Sequence, residues 1–273
     1  MAWKIPLSTS VDNTTALTLA NNGDALFIAK GILIASSQAD AVAMQGLQQT
    51  AVIAGTAASG SGSGVLFGTN TASLGGPPTS YGLQLTIDAG GEVRSFGGSG
   101  IYWEAHQSQL TNNGLISGVN AGVTLFNYYE YSTDTITNTG TILGGTTGIS
   151  ILLPVTDTVT FRNSGLLSGA NAYVSHASGF ATNLLYNTGR IVGDIKLGGG
   201  NDSYLGATGH FSGHLLSGAG TDTLTGGTDN DYFDGGADGD TLTGNAGNDT
   251  LLGGAGTGAD KLTGGLGIDT ETG

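Results

Sequence analysis

The feature that most constrains this chain is a nine-residue repeat near its C-terminal end. From Ser217 it reads SGAGTDTLT, GGTDNDYFD, GGADGDTLT, GNAGNDTLL, GGAGTGADKLT and GGLGIDTET. The shared pattern is G-G-x-G-x-D-x-U-x, with U a large apolar residue. The sixth position is Asp222, Asp231, Asp240, Asp249, Asp260 and Asp269. The eighth is Leu224, Phe233, Leu242, Leu251 and Leu262, and then Glu271, a departure. The fifth unit carries two extra residues near Thr257 and Gly258, and an outlying copy, LGGGNDSYL, supplies Asp202. The x-U-x tripeptide reads as a short strand with its apolar side chain pointing inward. One such unit buries nothing alone, so units must stack. Two units make one coil of turn, strand, turn, strand, and each turn stacks on the turn two units later.

Glycines in those turns admit positive φ and let carbonyls converge, and each Asp adds a hard anionic oxygen. Oxygen-only ligand sets suit Ca²⁺. The stacking pairs Asp202 with Asp222, Asp222 with Asp240, and Asp240 with Asp260 on one edge. On the other edge it pairs Asp231 with Asp249, and Asp249 with Asp269. That predicts about five ions, one per pair. Gly213 stands nine residues before Asp222, where the second edge would need an Asp, so no ion is expected there. Asp229 and Asp238 hold the fourth position, where Gly is usual; their side chains read as solvated.

Residues 197–273 resemble the RTX repeats of proteins exported by bacterial type I secretion. The resemblance implies a parallel β-roll, with ions held between turns by the Asp carboxylates and by glycine-loop carbonyls. Those carbonyls would come from Gly200, Gly218, Gly220, Gly227, Gly236, Gly247, Gly254, Gly256, Gly265 and Gly267. It also implies an extracellular or cell-surface location in a bacterium, and a chain that folds outside the cell where calcium is plentiful. The family's uncleaved export signal usually follows the repeats. Here the chain stops at Gly273, the start of a seventh unit, which leaves open a fragment or a chain without that signal.

Charge follows the repeat. The last 77 residues hold eleven acids and one base, Lys261, and 23 glycines; the first 196 hold ten acids and six bases. The chain is therefore read as two regions, 1–196 and 197–273. Such acidity excludes a nucleic-acid or anionic-membrane partner, which need a basic surface. With no Cys there is no disulfide framework and no thiolate metal site. No apolar run reaches the roughly 20 residues of a membrane span, and MAWKIPLSTS lacks the apolar core of a cleavable signal peptide.

The first region repeats more loosely, as apolar-x-N-x-G-x-I-x-G. It occurs as LTNNGLISG, ITNTGTILG, FRNSGLLSG and LYNTGRIVG, with Asn112, Asn138, Asn163 and Asn187 at steps of 26, 25 and 24. Weaker copies are Phe27–Ala35, Leu47–Gly55, Ile87–Ser95 and Leu205–Gly213, with a poor one near Thr69. One strand signal per 20–26 residues, without helical spacing, reads as a coil of a parallel β-helix. The Asn positions are expected to form a ladder of side-chain amides. Because the last copy overlaps the turn at Asp202, both regions are expected to share one register. The fold class is all-β: a parallel β-helix continuing into a calcium-binding parallel β-roll, about nine coils plus three, roughly 60 Å long. Met1–Leu19 reads as its N-terminal cap.

Some β-helices act on sugars, so acid, base and cation should converge on one face if this one does. Arg94, Arg162 and Arg190 are spread out, and so are Asp88, Glu92, Glu104, Glu130, Asp134, Asp157 and Asp194. His106 near Glu104 and Tyr102 reads as a solvated loop; Tyr128, Tyr129 and Tyr131 read as loop aromatics. His176, His210 and His214 show no ligand spacing, and GSGSG at 60–64 lacks a phosphate loop's context. T-x-T pieces (Thr221/Thr223, Thr241/Thr243) are read as metal-turn residues, not as a flat Thr face suited to ice. The expectation is a non-enzymatic, calcium-stabilised structural or adhesive rod, with cell-surface polysaccharide or self-association as partners. The alternative is a carbohydrate-active β-helix of lyase or epimerase type, or its accessory module.

Overall fold

The computed structural model describes residues 3–6, 8–68, 81–126, 132–152, 157–176, 181–206 and 208–273. Within them the chain winds as one parallel β-solenoid without α-helix. A first face stacks 12 strands, from Trp3–Lys4 to Lys261–Leu266, one per coil. A second face runs from Ser10–Asp12 to His210–Ser212, and a third from Leu17–Leu19 to Thr270–Thr272. The second and third merge where Leu166–Ser175 and Arg190–Lys196 run through both. Eleven inter-coil steps at parallel-strand spacing give a rod of roughly 50 Å. Among the described residues no helix is long and apolar enough to cross a membrane.

The alternation written in the strands is the alternation of burial. On the first face one inward column reads Leu26, Ala51, Leu85, Leu110, Ile136, Phe161, Leu185, Tyr204, Leu224, Leu242 and Leu262. It crosses the boundary between the two repeat types without a break, so both share one register. Every member is essentially solvent-free except Leu262, which is partly buried. Each such side chain contributes about 1.5–3 kcal/mol on burial. One step from this column, Asn112, Asn138, Asn163 and Asn187 form the expected ladder. Each Nδ2 donates to the next Oδ1 at 2.7, 2.8 and 2.8 Å, all four side chains being buried.

Several copies sit in a shifted register. Leu85, not Ile87, pairs with Leu110, and Ala51 and Leu26 occupy the places given to Leu47 and Phe27. Ile28, Ile53 and Ile87 stand where later coils have Asn. The turn Asp88–Gly91 is two residues longer than that after Asn112, and it absorbs the difference. Likewise Tyr204 turns inward and Leu205 outward. Thr50 pairs directly with Gln84, so no coil intervenes at the copy placed near Thr69, which itself lies outside the described residues. Residues taken as an N-terminal cap form a first three-strand coil. Of the T-x-T residues, Thr221 lies in the turn, but Thr223, Thr241 and Thr243 lie on strands of the first face, in register with Thr135, Thr137 and Thr160.

Coil length falls along the rod. First-face partners are 24 to 26 residues apart from Gln84 to Leu184, then 18 to 20 from Leu184 to Lys261. The shortening removes one side. After His210–Ser212 the second face stops, and the remaining coils have two strands.

Candidate metal centre

The two-sided coils place every repeat Asp at a turn-to-strand junction, in two columns on opposite edges. Within a column each carboxylate reaches back one coil. Asp222 Oδ1 accepts the N–H of Asp202 at 2.7 Å, Asp240 that of Asp222 at 2.8 Å, and Asp260 that of Asp240 at 3.0 Å. On the other edge Asp249 accepts from Asp231 at 2.8 Å and Asp269 from Asp249 at 2.9 Å. The partners are those that 18- and 20-residue stacking predicts. Asp202, Asp222, Asp231, Asp240 and Asp249 are at most 4% exposed, while Asp260 and Asp269, in the last coil, are half-buried.

The second oxygens carry the chemistry. Oδ2 of Asp202, Asp222, Asp240 and Asp249 are buried and accept no hydrogen bond. Asp231 Oδ2 takes one, from the Gly227 N–H at 3.1 Å. Carboxylates placed so resist ionisation. Burial pushes Asp202 and Asp231 up to about 7 and Asp240 up to about 6, against the lowering effect of the backbone N–H bonds. It also raises Asp222 and Asp249. A buried charged group needs a compensating partner. Here a proton or a cation is required.

The glycines shape the space. Gly218, Gly236 and Gly254 stack at φ +109°, +97° and +107°, each Cα over the carbonyl of the equivalent residue one coil earlier. An added Cβ would come within 2.1 Å of that oxygen. Gly200, Gly220, Gly247, Gly265 and Gly267 make the same approach, Gly256 faces the Asp238 N–H, and Gly227 donates to Asp231. The glycines that face the carboxylates are different ones, not picked out from the sequence. A Cβ on Gly226, Gly235, Gly244, Gly253 or Gly264 would lie 2.0–2.4 Å from Oδ2 of Asp231, Asp240, Asp249, Asp260 or Asp269. On the first three it would also meet the carbonyl of Gly244, Gly253 or Gly264 at 2.6–2.7 Å. So over Gly226, Gly235 and Gly244 a carboxylate oxygen and a carbonyl from the next coil converge. The signal was present, since this position is glycine in five consecutive units; the open question was which face of the turn it lined.

This donor set is one carboxylate per turn plus carbonyls, and no group of three or more His, Cys, Asp or Glu gathers among the described residues. Carbonyl-rich, all-oxygen sites suit Ca²⁺, whereas Mg²⁺ demands a tight octahedron and retains its waters. Residues 214–242 and 235–271 match the family described as the RTX calcium-binding nonapeptide repeat, in 4 copies. The C-terminal turns are RTX repeats. No curated protein and no solved structure matches the chain. RTX repeats bind Ca²⁺ in a β-roll, and the two-sided coils have that form. Asp202 lies upstream of the matched residues, yet its carboxylate has the same orphaned oxygen.

The acid column extends into the three-sided coils. Asp202 Oδ1 accepts the N–H and Nδ2 of Asn183 at 2.6 and 2.9 Å. Farther up, Asp134 and Asp157 are buried and accept the N–H groups of Ser108 and Ser132 at 2.9 and 2.7 Å. The second oxygen of Asp134 takes the Ser132 hydroxyl at 2.8 Å, so both its oxygens bond within the protein. Gly213 aligns with Asp231 and puts its Cα over the Gly193 carbonyl.

Other readings change. Asp229 is not merely solvated: it receives His210 Nδ1 at 3.1 Å and the Phe211 N–H at 3.1 Å. His106 is buried rather than in a solvated loop, and burial lowers its pKa. His214 packs against Tyr232 with the rings tilted by 58° and their centroids 4.5 Å apart. Tyr128, Tyr129, Glu130 and Tyr131 lie outside the described residues.

Proposed function

We propose that this chain is a non-enzymatic extracellular rod, structural or adhesive, whose two-sided coils fold on binding about five Ca²⁺ ions. The observation that carries it is the set of buried Asp Oδ2 atoms without a hydrogen bond, two of which, on Asp240 and Asp249, stand where a carbonyl from the next coil converges. The ions would sit between Asp202/Asp222, Asp222/Asp240, Asp240/Asp260, Asp231/Asp249 and Asp249/Asp269. Gly226, Gly235, Gly244, Gly253 and Gly264 leave room for them. Without metal, eleven acids face one base in the last 77 residues. In the two-sided coils the fully buried core is only Leu224 and Leu242 on one face and Phe233 and Leu251 on the other. Ordering that segment therefore waits for charge neutralisation. A chain of this kind leaves a calcium-poor cytosol unfolded and locks outside, which suits type I export. Cell-surface polysaccharide or further copies of the rod are its expected partners.

The test is circular dichroism of the full chain in EDTA and in millimolar calcium, with ion stoichiometry from calorimetric titration. Strand signal should rise with calcium while the three-sided coils persist in chelator. Equal spectra and melts in both conditions would sink the reading.

A further inference from the structure

The end of the second face leaves a step in the rod. His210–Ser212 is its last strand, paired above to Arg190–Val192. The narrower coil beneath opens a notch of about 420 Å³, lined by Arg190, Ile191, His210, Phe211, Ser212 and Asp229. That volume lies within the about 300–1,000 Å³ of small-ligand sites.

Its chemistry is specific. Arg190 and His210 are register partners on adjacent coils, so both side chains stand on the same side of the sheet. Among the described residues the Arg190 guanidinium forms no ion pair, whereas Asp229 holds His210 from below with both oxygens at 3.1 Å. Asp229 also stops the Phe211 N–H from offering a bare sheet edge. It stands at the repeat position where glycine is usual, so this departure from the pattern builds the notch's lower wall. The result is a planar cationic fork on one wall, a carboxylate on the other, and a hydroxyl and an imidazole between.

We propose that the notch binds a carboxylate-bearing saccharide unit. Arg190 takes the ligand carboxylate in its fork. Asp229, His210 and Ser212 serve ring hydroxyls, which both donate and accept. A phosphate dianion suits the notch less well, because Asp229 would face its charge. A neutral sugar leaves Arg190 unanswered. This goes beyond the calcium reading and does not depend on it.

The test is isothermal titration of the full chain at saturating calcium. Three probes are compared: a glucuronate-containing disaccharide, its neutral glucose counterpart and inorganic phosphate. A disaccharide is short enough not to compete for calcium as a polyuronate would. The uronate should bind at least about tenfold more tightly than either other probe, and Arg190→Gln should weaken it by about tenfold or more. Arg162→Gln, on the first face, should leave it unchanged. Nuclear magnetic resonance of the His210 ring should show a shift with uronate, which locates the site even if Arg190→Gln folds poorly. Binding equal to that of the neutral sugar or phosphate overturns the proposal. So does the absence of saturable binding, or an Arg190→Gln protein that binds as before.

Discussion

Asp240 and Asp269 differ in one respect that can be measured. Asp240 lies mid-column, between Asp222 and Asp260, and takes part in two turn pairs; Asp269 is terminal and takes part in one. Asn in place of either keeps an oxygen acceptor for the N–H of the preceding coil but removes the anionic charge. Extracellular calcium modules have dissociation constants of about 10⁻⁴–10⁻³ M. At about 5 mM calcium and about 0.5 mM affinity, each occupied site contributes about 1.4 kcal/mol to the folded state. Asp240→Asn therefore costs about 3 kcal/mol in calcium and Asp269→Asn about half of that. For a segment this size those losses lower the calcium-bound melting temperature by about 12–24 °C and about 6–11 °C. Stoichiometry should fall by about two ions and about one. In EDTA the sign reverses for Asp240→Asn, because a buried carboxylate that resists ionisation is gone. Thermal melts followed by circular dichroism, with and without chelator, read all of this. Equal effects of the two substitutions in calcium, or destabilisation by Asp240→Asn in EDTA, would refute the shared-ligand column.

Two further outcomes follow from the same geometry. Burial raises Asp202 and Asp231 to about 7 and Asp240 to about 6, above their unfolded values, so the metal-free roll binds more protons folded than unfolded. Its stability is then greatest in acid and is lost as pH rises through about 6–7. Chelated protein should gain strand signal at about pH 5 relative to about pH 7.5, and the calcium needed for half-folding should fall with the pH, because protons then supply part of the neutralisation; a flat response in EDTA would contradict it. Asn138→Ala removes the middle of the amide ladder and strands the groups of Asn112 and Asn163 that it served. It should cost about 2–4 kcal/mol in the three-sided coils, with the calcium titration of the roll unaltered; a changed ion count would mean the two parts are not separable.

Much of the roll was legible because nine-residue units leave little freedom. Two units must close a coil, so residues 18 apart must touch, and the Asp pairs follow by counting. The Asn ladder was legible for the same reason, since Asn112, Asn138, Asn163 and Asn187 recur at nearly constant steps. Where turns change length the counting slips. Two extra residues in the turn after Ile87 are indistinguishable, in a linear reading, from a strand shifted by two. Tyr204 and Leu205 are both large and apolar, and only packing on Leu185 and Leu224 selects Tyr204 for the interior.

The linear pattern by itself determined the all-β class, the parallel stacking, the calcium chemistry and the Asp partners, because each rests on periodicity and residue type. The tertiary structure alone decided three other things. It set which glycines face the carboxylates, because that depends on how one turn lies over the next. It buried Asp134 and Asp157, because their partners are the backbone groups of a neighbouring coil. It also ended the second face at Ser212 and brought Arg190, His210 and Asp229 around one notch. Those three residues are 20 and 19 apart along the chain, and only the change from three sides to two places them together.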